Sequence, residues 1–152
     1  MANKIKLLVD ADGCPVPVKQ IIINMAKEYK LEVVMIKNIC HELQDDYAKI
    51  ITVDQGRDAA DLVLINNTKA GDIVITQDYG VAALALAKKA IAINQNGWLY
   101  TNENIDELLA KRHVNQEMRR KHNKYTKIPK RKNTDNHKFQ QLLQELMTQV
   151  LN

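Results

Sequence analysis

Short apolar runs alternate with amphipathic stripes through the first two thirds of the chain, and that alternation predicts the fold. Residues 4–9 hold a nearly continuous apolar run, Ile5-Lys6-Leu7-Leu8-Val9, of the kind a strand shows when both faces of its sheet are covered. After a turn over Asp10–Pro15, Val18, Ile21, Ile22, Met25 and Ala26 recur at helical spacing, with Lys19, Asn24, Lys27 and Glu28 between them. That pattern predicts an amphipathic helix ending near Lys30. Residues 31–36 predict a second strand, whereas 38–47 are polar and carry no clear period. Residues 50–53 predict a third strand and 58–65 a helix, with its acids in the first turn, where they complement the helix dipole. A fourth strand is expected over 73–76, an Ala/Leu helix over 81–89 and a fifth strand over 90–94. Asn96-Gly97 before Trp98-Leu99-Tyr100 predicts a short hairpin, and a helix opens at Asn102 or Glu103 and runs through Leu109.

Strands alternating with helices in this order predict an α/β domain over residues 1–110: a mostly parallel sheet of about five strands, helices on both faces, right-handed connections. Beyond it, residues 111–152 read as a basic helical extension packing on or beside the domain. Lys111–Asn123 can be helical, and Lys124–Asn136, with Pro129 and a run of bases, predicts an exposed loop. Phe139, Leu142, Leu143, Leu146, Met147 and Val150 then form a 3-4 stripe. A helix with such a stripe docks on its own sheet or on a partner, which leaves a homodimer through it open.

Composition changes this picture little, and charge changes it more. Hydrophobic content of 45% and charged content of 26% are ordinary for a water-soluble domain; with aromatics at 5%, the core must rest on Ile, Val, Leu and Ala. No apolar stretch approaches the ~20 residues a bilayer demands, and the N-terminus lacks the pattern of a signal peptide. Cys14 and Cys40 have no framework spacing and suit a reducing compartment, so the expected location is cytoplasmic, with no membrane partner. The net charge is only +4, but residues 111–138 hold eleven Lys/Arg against two acids, a local charge of +9, leaving −5 for the rest. Such asymmetry points to a polyanion. Arg112, Arg119, Arg120, Lys121, Lys124, Lys127, Lys130, Arg131 and Lys132 are the expected nucleic-acid contacts. Each phosphate contact by such a residue releases counterions and makes binding salt-dependent.

Acids gather at three strand-to-helix junctions: Asp10 and Asp12, Asp58 and Asp61, and Asp78. In a parallel sheet these junctions share one edge, where ligands bind. An Asp before a helix is commonly an N-cap, yet a cap needs one acid per turn and two of these turns supply two. Like charges held together repel, raise a pKa or bind a cation. The hard ions Mg²⁺ and Mn²⁺ suit carboxylates and are often held by one or two acids plus substrate phosphates. No Cys/His cluster has zinc-ligand spacing. The expected metal ligands are Asp10, Asp12, Asp58, Asp61 and Asp78, and a carboxylate-held divalent ion is a common means of hydrolysing phosphodiesters.

Other chemistries are less well served. Cys14 falls near a helix N-terminus, which favours a thiolate, but a cysteine phosphatase loop wants arginine six residues on and Gln20 stands there. Asp10-x-Asp12-Gly13 also resembles a phosphohydrolase of the haloacid dehalogenase type, with Asp10 as nucleophile. That pattern wants Thr or Ser where Cys14 follows, and a lysine with no evident counterpart.

Taken together, Asp10-Ala11-Asp12-Gly13-Cys14-Pro15-Val16, Gly56-Arg57-Asp58-Ala59-Ala60-Asp61 and Gly71-Asp72-Ile73-Val74-Ile75-Thr76-Gln77-Asp78-Tyr79-Gly80 resemble the three signature blocks of the YaiI/YqxD family of bacterial proteins. The resemblance spans about residues 4–120 and implies a fold similar to PIN-like nuclease domains. Through it Asp10, Asp61 and Asp78 match the PIN acids and become the candidate catalytic residues, with Asp58 an added acid. The usual further PIN acid has no clear counterpart, Glu42, Asp45 and Asp46 being the candidates. The convergence of acids beside a basic arm makes a Mg²⁺- or Mn²⁺-dependent nuclease, on RNA in preference to DNA, the expected function. The alternatives are a non-catalytic nucleic-acid-binding protein or a small-molecule phosphohydrolase.

Overall fold

A computed structural model describes residues 5–39, 45–54, 57–122 and 131–151, the side chains of 57, 58, 116 and 118–122 excepted. Its elements follow in the order β1 (Lys6–Asp10), α1 (Val16–Tyr29), β2 (Glu32–Asn38), β3 (Lys49–Val53), α2 (Arg57–Asn66), β4 (Ile73–Ile75), α3 (Tyr79–Ala87), β5 (Ile91–Asn94), β6 (Trp98–Leu99), α4 (Asn102–His122) and α5 (Asn133–Leu151).

The strands make one sheet in the order β3-β2-β1-β4-β5-β6, parallel throughout except for β6, which turns back antiparallel on β5. Alternation along each strand divides the core in two. Leu7, Val9, Met35, Ile73, Ile75 and Ile93 face one side, where Val18 and Ile22 of α1 and Phe139, Leu143 and Met147 of α5 cover them. Leu8, Val34, Ile36, Val74 and Ala92 face the other, under Leu64 of α2, Val81 and Ala85 of α3, and Ile105 of α4. The chain runs outward from β1 through α1 to β2 and β3. It then crosses back through α2 to β4 on the far side of β1 and continues outward through α3 to β5. Reversing the direction of travel while keeping right-handed crossovers puts α2 and α3 opposite α1. The reversal opens a crevice at the C-terminal ends of β1 and β4, the place where open α/β sheets bind ligands.

The expected α/β architecture with helices on both faces is therefore present, with a sixth short strand supplied by the hairpin. Three local expectations change. Asp10 belongs to β1 rather than to the turn after it. Residues 102–122 form one unbroken helix where the sequence pattern breaks near Leu109. Asn133–Asn136, expected in a loop, already lie in α5. Asp135 accounts for this early start: its Oδ2 accepts from the Lys132 backbone N–H (3.0 Å), while its own N–H returns to Lys132 O. The apolar stripe of α5 is used within the chain, with Phe139, Leu143, Leu146 and Met147 all buried.

Arg131 secures the approach to α5. Its guanidinium donates to the Gln95 carbonyl (2.8 Å), to the Asn96 side chain and to Asn136 Oδ1 (2.7 Å from Nη2), stapling the start of α5 to the β5–β6 turn. Gly97 allows the close approach: at φ +91° it sits where a Cβ would lie 2.5 Å from the Lys138 carbonyl carbon. In the stretch without sequence period, Asp45 Oδ1 accepts from the N–H groups of Tyr47 and Ala48. Tyr47 Oη donates to Leu31 O at 2.5 Å.

Candidate functional site

A cleft of about 620 Å³ lies at the point where the strand order reverses, lined by Asp10, Asp12, Gly13, Asn38, Ala60, Asp61, Gln77, Asp78, Tyr79 and Arg112. Every C-terminal edge near the reversal contributes. β1 supplies Asp10 and the turn after it Asp12, β2 ends in Asn38, the turn after β4 brings Gln77 and Asp78, and α2 adds Asp61 one turn from its start. Four of the five acids singled out from the sequence thus meet on one cleft. Asp58 lies in the first turn of α2, but its side chain is outside the described residues.

Three of these acids already have local work. Asp78 caps α3, its Oδ1 accepting from the Gly80 and Val81 N–H groups at 2.8 and 3.2 Å. Asp12 does not cap α1, whose N-cap Pro15 has no side-chain hydrogen bond; both Asp12 oxygens instead accept from the Asn38 N–H, at 3.1 and 2.9 Å. That bond ties the turn after β1 to the end of β2. Asp10 Oδ2 accepts from Thr76 Oγ1 (3.3 Å), and the same hydroxyl accepts from the Asp78 N–H (3.0 Å), so one buried threonine links the Asp10 carboxylate to the Asp78 backbone.

Behind Thr76 stands Tyr100, fully buried, whose Oη donates to Thr76 O (3.0 Å) and accepts from Asn94 Nδ2 (2.9 Å). Burial pushes its phenol well above the usual range. Trp98 and Tyr79 pack edge-on against the Tyr100 ring, at 4.6 and 6.1 Å between centroids. Sequence reasoning missed this backing layer. Asn94, Trp98 and Tyr100 flank an Asn-Gly turn, and the turn was the signal that stood out. Gln77 and Asn38 were missed for a similar reason, being neutral residues at strand ends that acids made conspicuous.

Among the expected basic residues, Arg112 of α4 reaches the cleft, its Nη1 3.9 Å from Asp78 Oδ1 and its side chain 42% exposed. At that distance and exposure the pair is weak and screened by salt. Arg119, Arg120 and Lys121 continue along α4, with side chains outside the described residues, as are Lys124, Lys127 and Lys130 altogether. Arg131 is bound to protein acceptors as above, and Lys132 is exposed at the foot of α5. Of the candidates for a further acid, Asp45 serves its own turn, Asp46 does not line the cleft, and Glu42 lies outside the described residues. Cys14 is buried beside the site, and burial pushes its thiol up to about 12, which removes it as a nucleophile. Among the described residues no lysine lines the cleft, so the covalent scheme on Asp10 lacks its expected cation there.

The donor chemistry of the cleft is all oxygen, which suits Mg²⁺ or Mn²⁺ and not zinc. Among the described residues no three His, Cys, Asp or Glu side chains stand close enough to hold an ion together. The fit is therefore to sparse coordination, one or two carboxylates with the remaining positions left to water or phosphate oxygens, and not to an all-protein cage. No helix among the described residues is long and apolar enough to cross a membrane.

A family model described as "Uncharacterized BCR, YaiI/YqxD family" matches residues 8–149. The chain is 71% identical to a UPF0178 protein of Alkaliphilus oremlandii over 138 residues, 91% of this chain and 88% of that one. It is 53% identical to one of Natranaerobius thermophilus, covering 95% and 97%, and 48% identical to one of Lachnoclostridium phytofermentans, covering 95% and 98%. No solved structure matches the chain.

Proposed function

The chain belongs to the YaiI/YqxD family, and from the site its fold builds we propose that it is a PIN-like, Mg²⁺- or Mn²⁺-dependent nuclease, acting on RNA in preference to DNA. The observation that carries this reading is the convergence of Asp10, Asp12, Asp61 and Asp78 on one cleft at the switch point of the sheet, with Arg112 on its wall. Asp10 with one further acid, Asp61 or Asp78, would hold the ion, water and phosphate oxygens completing its shell, with Asp58 next along α2; Asp12 serves chiefly to fix the turn. When bound, the ion supplies Lewis acidity and a water acidified for attack. The protein's own groups do the rest. Thr76 ties the Asp10 carboxylate to the Asp78 backbone, Arg112 meets phosphate charge, and the bases later in the sequence add positive charge for a phosphate backbone.

Calorimetric titration with Mn²⁺ and cleavage of a single-stranded RNA test this together. Asp10→Asn should weaken Mn²⁺ binding by more than about tenfold and reduce cleavage to background. Unchanged Mn²⁺ affinity in Asp10→Asn would overturn the metal site.

A second reading has its own observation. Asp78 is a cap, Asp12 is a clamp, and no three-acid group exists among the described residues. A non-catalytic nucleic-acid-binding protein of this fold would bind RNA in the presence of chelator, lose it with rising salt, and cleave nothing on long incubation.

A further inference from the structure

One residue of the cleft lining is aromatic. Tyr79 follows the capping acid Asp78 directly, lines the cleft, and is half-buried. Its position is fixed from behind. Gly80 and Val81 continue into α3 under the Asp78 cap, and the Tyr100 ring meets Tyr79 at 67° between planes. Tyr100 is itself pinned by bonds to Thr76 and Asn94 and by contact with Trp98. A ring held this firmly loses little freedom when a flat ligand lies against it.

We infer that Tyr79 is the surface on which one nucleobase of the substrate stacks, while the adjoining phosphate faces the carboxylates and Arg112. The inference rests on the nuclease reading and extends it to the base. A cleft of about 620 Å³ has the size of sites that take nucleotide-sized ligands. The ion and Arg112 would meet the phosphate, and a ring on the same cleft adds a contact for the base. Every base has a π-face, so stacking supplies attraction without selecting sequence. A base inside the cleft has left its neighbours, so the substrate presents an unstacked nucleotide.

Adenosine 5′-monophosphate and ribose 5-phosphate, titrated separately by calorimetry in Mn²⁺ buffer, isolate the base, because the phosphate and its interactions are common to both. The wild-type protein should bind the nucleotide about tenfold more tightly than the sugar phosphate. Tyr79→Leu should erase that difference and Tyr79→Phe, which keeps the ring, should preserve it. Equal affinity for the two ligands in wild type, no binding of either, or a preference that survives Tyr79→Leu would each overturn the inference. Unfolding curves for both variants check that the fold is intact. RNA cleavage reports separately: a protein that prefers the nucleotide through Tyr79 yet cleaves nothing would retain the stacking site and lose the nuclease.

Discussion

Cys14 shows how a residue's surroundings can reverse its ordinary chemistry. A cysteine just ahead of a helix commonly ionises easily. Here burial outweighs the nearby charges of Lys19 and Arg131, which lower the pKa, and Asp10 adds to the rise, so the thiol is pushed up to about 12. The consequence for stability has a definite sign. Below pH 9 the thiol is protonated in folded and unfolded chains alike. Between 9 and 12 the unfolded chain releases its proton and the folded one keeps it, so folding loses about 1.4 kcal/mol per pH unit from this group. Tyr100, also raised by burial, adds to the same decline from about pH 10 upward. Urea unfolding of wild type and Cys14→Ala at pH 7, 8 and 10.5 should show a difference that is constant up to about pH 8 and shifts against the wild type above it.

At the scale of the element, α3 is the piece on which both structure and site depend. It is short and largely apolar, and Asp78 supplies its cap while lining the cleft. Asp78→Ala should cost about 1 kcal/mol of stability by denaturant unfolding, whereas Asp78→Asn, an equally good cap, should cost little. The asparagine variant therefore separates the charge of Asp78 from its structural role in the Mn²⁺ titration. This dual use explains why the site was only half legible in sequence. Acids at strand ends are conspicuous, and the parallel sheet guarantees that they share an edge. Which of their oxygens already accept a hydrogen bond depends on partners far along the chain, such as the Asn38 N–H for Asp12 and the Thr76 hydroxyl for Asp10. The strands were legible for a simpler reason, since buried parallel strands are runs of Val, Ile and Leu. The single span of α4 was not, because much of its second half has no apolar stripe to mark it.

For the whole molecule, the decisive feature is that α5 belongs to the core. Phe139 is fully buried, in one cluster with Val18 and Ile22 of α1 and Val9 of β1. Phe139→Ala should lower unfolding free energy by about 3–5 kcal/mol, read from the denaturant midpoint at unchanged slope. A helix that merely rested on the surface would lose under about 1 kcal/mol. The stripe at 139–150 was plain in the sequence, but not its destination, because periodicity reveals which face is buried and says nothing of what buries it.

The pairing of α1 with α5 also sets an order of events during synthesis. The layer under α2, α3 and α4 has all its parts once residue 109 or so has emerged. The opposite layer does not, since α1 is made early and its cover more than a hundred residues later. On the ribosome the nascent chain therefore carries a half-covered apolar layer on the α1 side of the sheet until α5 arrives, and that interval is where a chaperone would find it.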